Sequence, residues 1–237
     1  MDEIEEFSEE RNKAWCVHCG SPLASRKTSR DHVPTKTLLH PPYPPNLPIV
    51  MVCHRCNQSF RTDEQYLVAF LSAVLAGTTD PATQANPNAA RILLHNTELR
   101  TAIDASKRED QTSGGERKIV WDADLTRVSP VVVKNARGHA FYEYGEPMLN
   151  EPDSVLILPV SLMSATERRD FEEVPSDGVW PEVGSRMMTR VLTGQDLDGP
   201  WVVVQEGCYR FAITQADGGL FVRSVISEYL ATQVSWL

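Results

Sequence analysis

Apolar and polar residues follow three different patterns along this chain of 237 residues. Residues 62–77, TDEQYLVAFLSAVLAG, place apolar side chains at helical spacing, with Thr62 or Asp63 as the cap and Gly77 as the stop. Residues 89–108 have the same spacing and predict a second helix. Short runs rich in β-branched and aromatic residues predict strands at 118–124, 154–162, 186–192, 199–214 and 218–226.

Two stretches interrupt this order. Residues 109–117, EDQTSGGER, are polar and glycine-rich, which predicts a flexible connection. Residues 127–145, RVSPVVVKNARGHAFYEYG, fit a helix or a strand equally well. The turn sequences LDGP and ADGG separate the last three predicted strands, which favours an antiparallel sheet at the C-terminal end.

The first sixty residues alternate short turns with extended pieces. The segment 31–39, DHVPTKTLL, starts extended because proline disfavours helical backbone at the residue before it. HPPYPPNLP at 40–48 predicts an irregular loop, and IVMVC at 49–53 predicts a short buried strand. The whole pattern predicts a mixed α+β protein.

Composition places the chain among ordinary globular proteins. It is 41% hydrophobic and 23% charged, and no apolar run approaches the roughly 18 residues of a membrane span. The acidic start, MDEIEEFSEE, lacks the basic flank and apolar run of a signal peptide. We therefore expect a cytoplasmic protein with no membrane partner. Residues 1–13 predict a short charged helix or a disordered segment.

The net charge of -9 is unevenly distributed. Residues 1–10 carry -6, residues 11–61 carry +7 and residues 62–237 carry -10, with histidine counted as neutral. A basic segment of this kind suits contact with nucleic-acid phosphates. The same count would arise if a basic surface faced its own acidic neighbour, so both interpretations stay open.

Four of the five cysteines form two Cys-x-x-Cys pairs, Cys16 with Cys19 and Cys53 with Cys56. In a reducing compartment such pairs more often bind a metal than form disulfides. Each pair can turn both sulfurs towards one point, and two pairs complete the tetrahedron of a structural zinc. The 33 residues between the pairs exceed the usual 15 to 20 of a simple ribbon, so the site encloses an inserted segment.

Two histidines, His18 and His54, lie inside the pairs and offer alternative zinc ligands. We favour the four thiolates, because a ligand at the middle of a pair would point away from the metal. Cys208 remains outside the pairs and predicts a small buried residue in a strand.

Zinc held by four thiolates has no open position, so any chemistry requires neighbouring residues. His32 has the side chain whose ordinary pKa best suits accepting a proton from water near neutrality. Asp31 and Asn57 offer the oxygen ligands that Mg²⁺ prefers. Asp31 and His32 are adjacent on an extended segment, so a bulge or twist is required to aim both at one phosphate.

The ordered motifs CVHCG, RDHVP and VCHRCN resemble the HNH endonucleases, also called ββα-metal nucleases, in the subgroup braced by a four-cysteine zinc. The likeness is strongest to phage resolvases and bacterial members with an Asp-His pair between the cysteine pairs and an Asn after the last cysteine. It covers residues 14–62, about a fifth of the chain. Two departures are the long loop at 40–48 and the presence of Phe60 and Arg61 where many relatives have Lys or His.

The apolar pattern and the resemblance together predict an α+β fold class with a small zinc-braced ββα-metal unit, then helices, then a C-terminal mixed or antiparallel β-rich body. They divide the chain into an acidic segment (1–13), a nuclease domain (14–62), a helical region (63–110) and an α+β domain (111–237). The resemblance implies structural zinc on the four cysteines, a catalytic Mg²⁺ or Mn²⁺ on Asp31 and Asn57, and His32 as general base. Candidate phosphate contacts are Arg26, Lys27, Arg30, Lys36 and Arg61.

The function expected from the resemblance is metal-dependent endonuclease activity on nucleic acid, with DNA as the first candidate and phage defence as one context. A single site cuts one strand, so a double-strand break needs two passes or a homodimer. One alternative is a non-catalytic zinc-braced module that binds nucleic acid or protein. Another is a regulated subunit of a multi-protein complex, in which the acidic body at 62–237 docks a partner.

Overall fold

The structure, a computed structural model, describes residues 10–111, 117–145, 147–174, 180–216 and 218–237. The fold is mixed α+β. The helices are α1 (Glu10–Lys13), α2 (His54–Ser59), α3 (Arg61–Ala76), α4 (Pro87–His95), α5 (Thr97–Ala105), α6 (Leu125–Tyr144), α7 (Ala165–Glu172) and α8 (Arg186–Thr193). The strands are β1 (Thr28–His32), β2 (Ile49–Cys53), β3 (Lys107–Gln111), β4 (Arg117–Trp121), β5 (Ser154–Pro159), β6 (Leu197–Asp198), β7 (Trp201–Gln205), β8 (Tyr209–Ala216), β9 (Gly219–Ile226) and β10 (Leu230–Trp236).

The chain forms two compact units. The first combines residues 1–59 with 132–237, and the second is 60–131, so the later boundary falls within α6. Across the described ranges, none of the helices has the length and apolar character needed to cross a membrane.

The N-terminal part of the first unit is an antiparallel hairpin followed by a short helix. β1 pairs with β2 without a register shift, from Thr28 opposite Cys53 to His32 opposite Ile49. The predicted strand at 49–53 is therefore confirmed, and α2 starts directly after it and packs on both strands. Buried side chains beneath the hairpin include Val17, Leu23, Val33, Val50, Val52 and Phe141.

The predicted loop at 40–48 contains no helix or strand, as its prolines require. Two hydrogen bonds with the carboxamide of Gln205 connect His40, the first residue of this loop, to β7. Gln205 Oε1 accepts from the His40 backbone N–H at 2.8 Å, and Gln205 Nε2 donates to the His40 carbonyl at 2.7 Å. This side chain supplies the two hydrogen bonds that a paired strand would otherwise make.

The C-terminal part of the first unit contains the predicted antiparallel sheet. Six strands lie in the order β5-β10-β9-β8-β7-β6, and all neighbours are antiparallel. A buried apolar cluster lies against the sheet and is formed by Phe171, Val174, Trp201, Ala212, Val225 and Ala231. The prediction of a β-rich C-terminal body is confirmed at this level.

The prediction of a strand at 186–192 was wrong, because this segment forms α8. Ser185 caps the helix by accepting a hydrogen bond from the Met188 N–H, and Gly194 ends it with left-handed backbone at φ 72°. These end residues outweigh the β preference of a short apolar run.

The segment that fitted helix or strand forms α6. Its face towards β1 carries Gly138, where an added Cβ would lie 2.7 Å from Val33 Cγ2. Only a residue without a side chain permits this approach. The glycine therefore sets how closely α6 packs on the end of the hairpin.

In the second unit, α3 ends at Gly77 as predicted. The single helix predicted at 89–108 is instead two, because Asn96 ends α4 and caps α5 by accepting from the Leu99 N–H at 3.0 Å. The predicted connection at 109–117 belongs in part to the antiparallel pair β3 and β4. Residues 112–116 of that connection lie outside the described residues.

Candidate metal centre and its neighbouring histidine

The four paired cysteines meet at one point. Their Sγ atoms all lie within 4.8 Å of one another, and Cys19 Sγ lies 3.8 Å from Cys53 Sγ. Zinc–sulfur bonds of about 2.3 Å in a tetrahedron place neighbouring sulfurs about 3.8 Å apart, so the group fits a structural zinc. All five cysteines carry free thiols, and Cys208 is buried away from this cluster.

Local backbone geometry produces each half of the cluster. Gly20, with φ 64°, allows the turn in which its N–H donates to the Cys16 carbonyl at 2.8 Å. In the second half, the Cys56 N–H points at Cys53 Sγ at 3.5 Å. One pair lies in a turn and the other joins β2 to α2, so the hairpin brings both halves together.

The thiols differ in how readily they ionise. Burial raises the pKa of Cys16 and of Cys56. Burial also opposes ionisation of Cys19, but hydrogen bonds from Ser21 outweigh it and lower the pKa of Cys19 to about 6. Of these three thiols, Cys19 most readily offers a thiolate, the form that binds zinc.

The two histidines inside the pairs face other partners. His18 Nε2 lies 3.1 Å from Asp31 Oδ2, and His54 Nδ1 lies 3.0 Å from Ser29 Oγ. These contacts agree with the preference for four thiolates.

Asp31 lies on the buried face of β1. Its Oδ1 is 2.8 Å from Lys134 Nζ, and its Oδ2 accepts from His18. Burial opposes ionisation of Asp31, but the His18 hydrogen bond and the Lys134 charge outweigh it and hold the pKa of this carboxyl below its usual range. Burial lowers the pKa of His18, against the pull of Asp31, so a neutral imidazole donates here.

His32 lies on the other face of the same strand. Successive side chains of a regular strand point to opposite faces, and β1 keeps its register through this position. Consistent with this, Asp31 is buried beside Val50 across the pair, whereas Arg30 and Met51 are exposed. The structure therefore does not aim the Asp31 and His32 side chains in one direction.

The half-buried imidazole of His32 has a pKa below its ordinary value. Burial is the main cause and the nearby charge of Lys36 adds to it, while Asp31 acts in the opposite sense. A neutral imidazole at neutral pH can accept a proton. Asn57 is half-buried in α2 directly after Cys56, so the cluster fixes where its backbone lies.

The predicted phosphate contacts divide between the units. Arg26, Lys27 and Arg30 are exposed around β1, and half-buried Lys36 stacks on Tyr43 with Nζ 4.4 Å from the ring centre. Arg61 is exposed at the start of α3, in the second unit.

Comparison with protein-family models, curated proteins and solved structures found no match for this chain.

Sequence reasoning missed Lys134. This lysine follows three valines in VVVKN, and a cation inside an apolar run requires a buried partner. That pattern predicts an ion pair, but it does not name the carboxylate.

Proposed function

We propose that this protein is a metal-dependent endonuclease of the HNH type, acting on nucleic acid and most readily on DNA. The observation that supports it is the order along the chain: a cysteine pair, β1 ending in His32, β2, then a second cysteine pair leading into α2 with Asn57. This order places four clustered thiols, a side chain that can accept a proton and an amide side chain in one segment of the chain, residues 16–57.

The thiol cluster fits zinc by donor type and by spacing. A tetrahedral four-thiolate zinc has no open position, so its role is to hold the hairpin and α2 together. In a segment with a small apolar core, such a metal contributes folding free energy directly.

The fit of a catalytic divalent ion is partial. Asn57 offers an amide oxygen, while both carboxylate oxygens of Asp31 already have partners. Asn57 remains a proposed ligand, whereas Asp31, the second ligand that the resemblance implies, lies against Lys134 and could bind an ion only in a conformation in which that contact is open. When bound, Mg²⁺ or Mn²⁺ would stabilise the negative charge that develops on the phosphate and the leaving oxygen.

His32 supplies the step that this chain can perform itself. In its neutral form, it accepts a proton from a water molecule, and the resulting hydroxide bonds to phosphorus as the bond from phosphorus to the leaving 3′ oxygen breaks. The leaving oxygen then takes a proton from solvent. The exposed Arg26, Lys27 and Arg30 would hold the phosphate backbone against this face of the hairpin.

A plasmid-nicking assay with Mg²⁺ or Mn²⁺ tests the proposal. We expect the wild-type protein to nick supercoiled DNA, and His32→Ala to lose at least about a hundredfold in rate, within the range for a general base. The matched control is His95→Ala, which removes an exposed histidine from α4. Zinc content must stay at one per chain in both variants. Equal rates for His32→Ala and wild type would refute the assignment.

A second candidate function is a zinc-braced binding module without catalysis. The burial of Asp31 against Lys134 favours it, because a catalytic metal ligand has to be reachable. This candidate predicts that the protein binds DNA without nicking it under any divalent ion. It also predicts that Arg30→Ala weakens binding while His32→Ala does not.

A further inference from the structure

The carboxylate of Asp31 already has a cation. Lys134 Nζ lies 2.8 Å from Oδ1, and the two side chains expose 2% and 7% of their surfaces. His18 occupies the other oxygen at 3.1 Å. An ammonium and an imidazole thus occupy both oxygens of this buried carboxylate.

Several contacts hold Lys134 in this position. Its ammonium also donates to Thr35 Oγ1 at 3.1 Å. The next residue of α6, Asn135, accepts from the Thr35 N–H at 3.0 Å through Oδ1. One turn further on, Gly138 packs against Val33 too closely for any side chain between them. The helix therefore cannot withdraw the ammonium without breaking its contact with the segment after β1.

A divalent ion at this carboxylate would meet two obstacles. It would have to displace the ammonium or bind beside it, and two cations that share one buried carboxylate repel each other strongly where water is scarce. It would also need several oxygen ligands, whereas lysine offers donors alone. Lys134 and His18 thus supply the ion pair and the hydrogen bond that a buried carboxylate requires, without a metal.

We propose that Lys134 is the resident counter-ion of Asp31 and keeps divalent ions off that carboxylate. The choice of ion and of carboxylate rests on the proposed nuclease function, but the test reads metal binding. In the folded protein, a catalytic ion would then be held without Asp31 as long as α6 keeps its place.

Mn²⁺ binding to the full-length, zinc-loaded protein tests this directly, with free Mn²⁺ measured by electron paramagnetic resonance. We expect Lys134→Met to bind Mn²⁺ at least about tenfold more tightly than wild type, since it frees a buried carboxylate. The gain should vanish in Asp31→Asn/Lys134→Met. Lys13→Met is the matched control, because it removes one lysine charge from α1 and should leave Mn²⁺ affinity unchanged.

Two outcomes would overturn the proposal. One is an unchanged Mn²⁺ affinity in folded Lys134→Met together with a tenfold loss in Asp31→Asn, which would mean that the wild-type ion already uses Asp31. The other is an equal gain in Lys13→Met, which would mean that the effect comes from net charge.

A measurement on the wild type covers the case in which Lys134→Met fails to fold. A buried, ion-paired ammonium exchanges its protons slowly and gives an observable ¹⁵Nζ resonance. We expect this resonance to persist unshifted as Mg²⁺ is added, and its loss at saturating Mg²⁺ would contradict the proposal. Failure of His32-dependent nicking leaves these binding results standing, and failure here leaves the nicking result standing.

Discussion

Two buried ion clusters lie along the part of α6 that belongs to the first unit, and they serve different surroundings. Lys134 meets Asp31 under the hairpin, while Glu143 meets Arg190 of α8 near the sheet. Arg190 donates to both Glu143 oxygens at 3.0 and 3.1 Å and to Asp196 at 2.7 Å. A buried charged pair therefore occurs both beside the candidate site and near the sheet, so burial alone does not mark a catalytic site.

The surroundings differ in how much apolar core they contain. Among the described residues, 14–59 contribute ten buried hydrophobic side chains, including the clustered cysteines Cys16 and Cys53, whereas 201–236 contribute seventeen. Around the sheet, the inner strands β8, β9 and β10 are buried along most of their length. We therefore expect the hairpin region to depend on bound zinc, and the sheet region to depend mainly on packing.

Loss of zinc should separate the two regions most strongly. Cys53→Ser is expected to reduce zinc from one per chain to none, because serine does not replace a thiolate ligand. A structural zinc contributes on the order of 10 kcal/mol of folding free energy to such a segment. Hydrogen exchange should then show lost protection of residues 14–59 and retained protection of 201–236.

Cys208→Ser is the control for that experiment. Its thiol lies outside the cluster and 3.3 Å from the Leu38 carbonyl, to which a serine hydroxyl can still donate. Zinc and protection should both be kept. If Cys53→Ser removes protection from both regions alike, they fold as one cooperative unit and the contrast between them fails.

The buried pairs should give the next largest effect. Lys134→Met leaves Asp31 without its ammonium and should cost about 3–5 kcal/mol of unfolding free energy, measured with urea at saturating zinc. Arg190→Met leaves two carboxylates, Glu143 and Asp196, without their guanidinium partner and should lower the free energy of unfolding by at least as much. Asp31→Asn/Lys134→Met removes both charges and should recover most of the loss.

That double variant decides whether the pair acts as a unit. A double variant as unstable as Lys134→Met alone would show that Lys134 stabilises the hairpin through its packing and not through Asp31. The comparison with the sheet region would then rest on core size alone.

Sequence reasoning worked where one local rule decides the outcome. The cysteine spacing predicted the thiol cluster, and the short apolar run at 49–53 predicted β2. It failed where residues at the ends of an element decide, as at α8, where Ser185 and Gly194 impose a helix on a strand-like run. End residues act within one helical turn, so they have little effect on a prediction made from the residue types of the whole segment.

The ion pairing and burial of Asp31 could not be predicted from any local sequence rule. Its partner Lys134 is about a hundred residues away and sits on a segment whose type was ambiguous, so neither the helix nor the pairing could be read from the chain. A motif names the residues of a site, but tertiary contacts decide whether those residues are reachable.

The smallest effect we predict is a difference between two histidines, one in each region. His139 stacks on Phe211 with ring centres 3.8 Å apart, its Nε2 lies 3.0 Å from Tyr209 Oη, and burial lowers its pKa to about 3. In an NMR titration it should stay neutral down to about pH 4. His32 should titrate with a midpoint below 6.5 but above that of His139, because its burial is partial.

Both folded-state pKa values lie below that of an unfolded histidine, so the unfolded chain takes up these protons first. Above pH 6.5 both histidines are neutral in the folded and unfolded chain, and their contribution to the free energy of unfolding is complete. That contribution falls as the pH decreases from 6.5 towards each folded-state pKa, an interval that is narrower for His32 than for His139. A His32 midpoint at or above 6.5 would show that the Asp31 charge outweighs burial at that imidazole. Electrostatics would then set the pKa of His32 in the hairpin, whereas burial sets the pKa of His139 beside the sheet. As the proposed general base, His32 would be protonated over more of the neutral pH range.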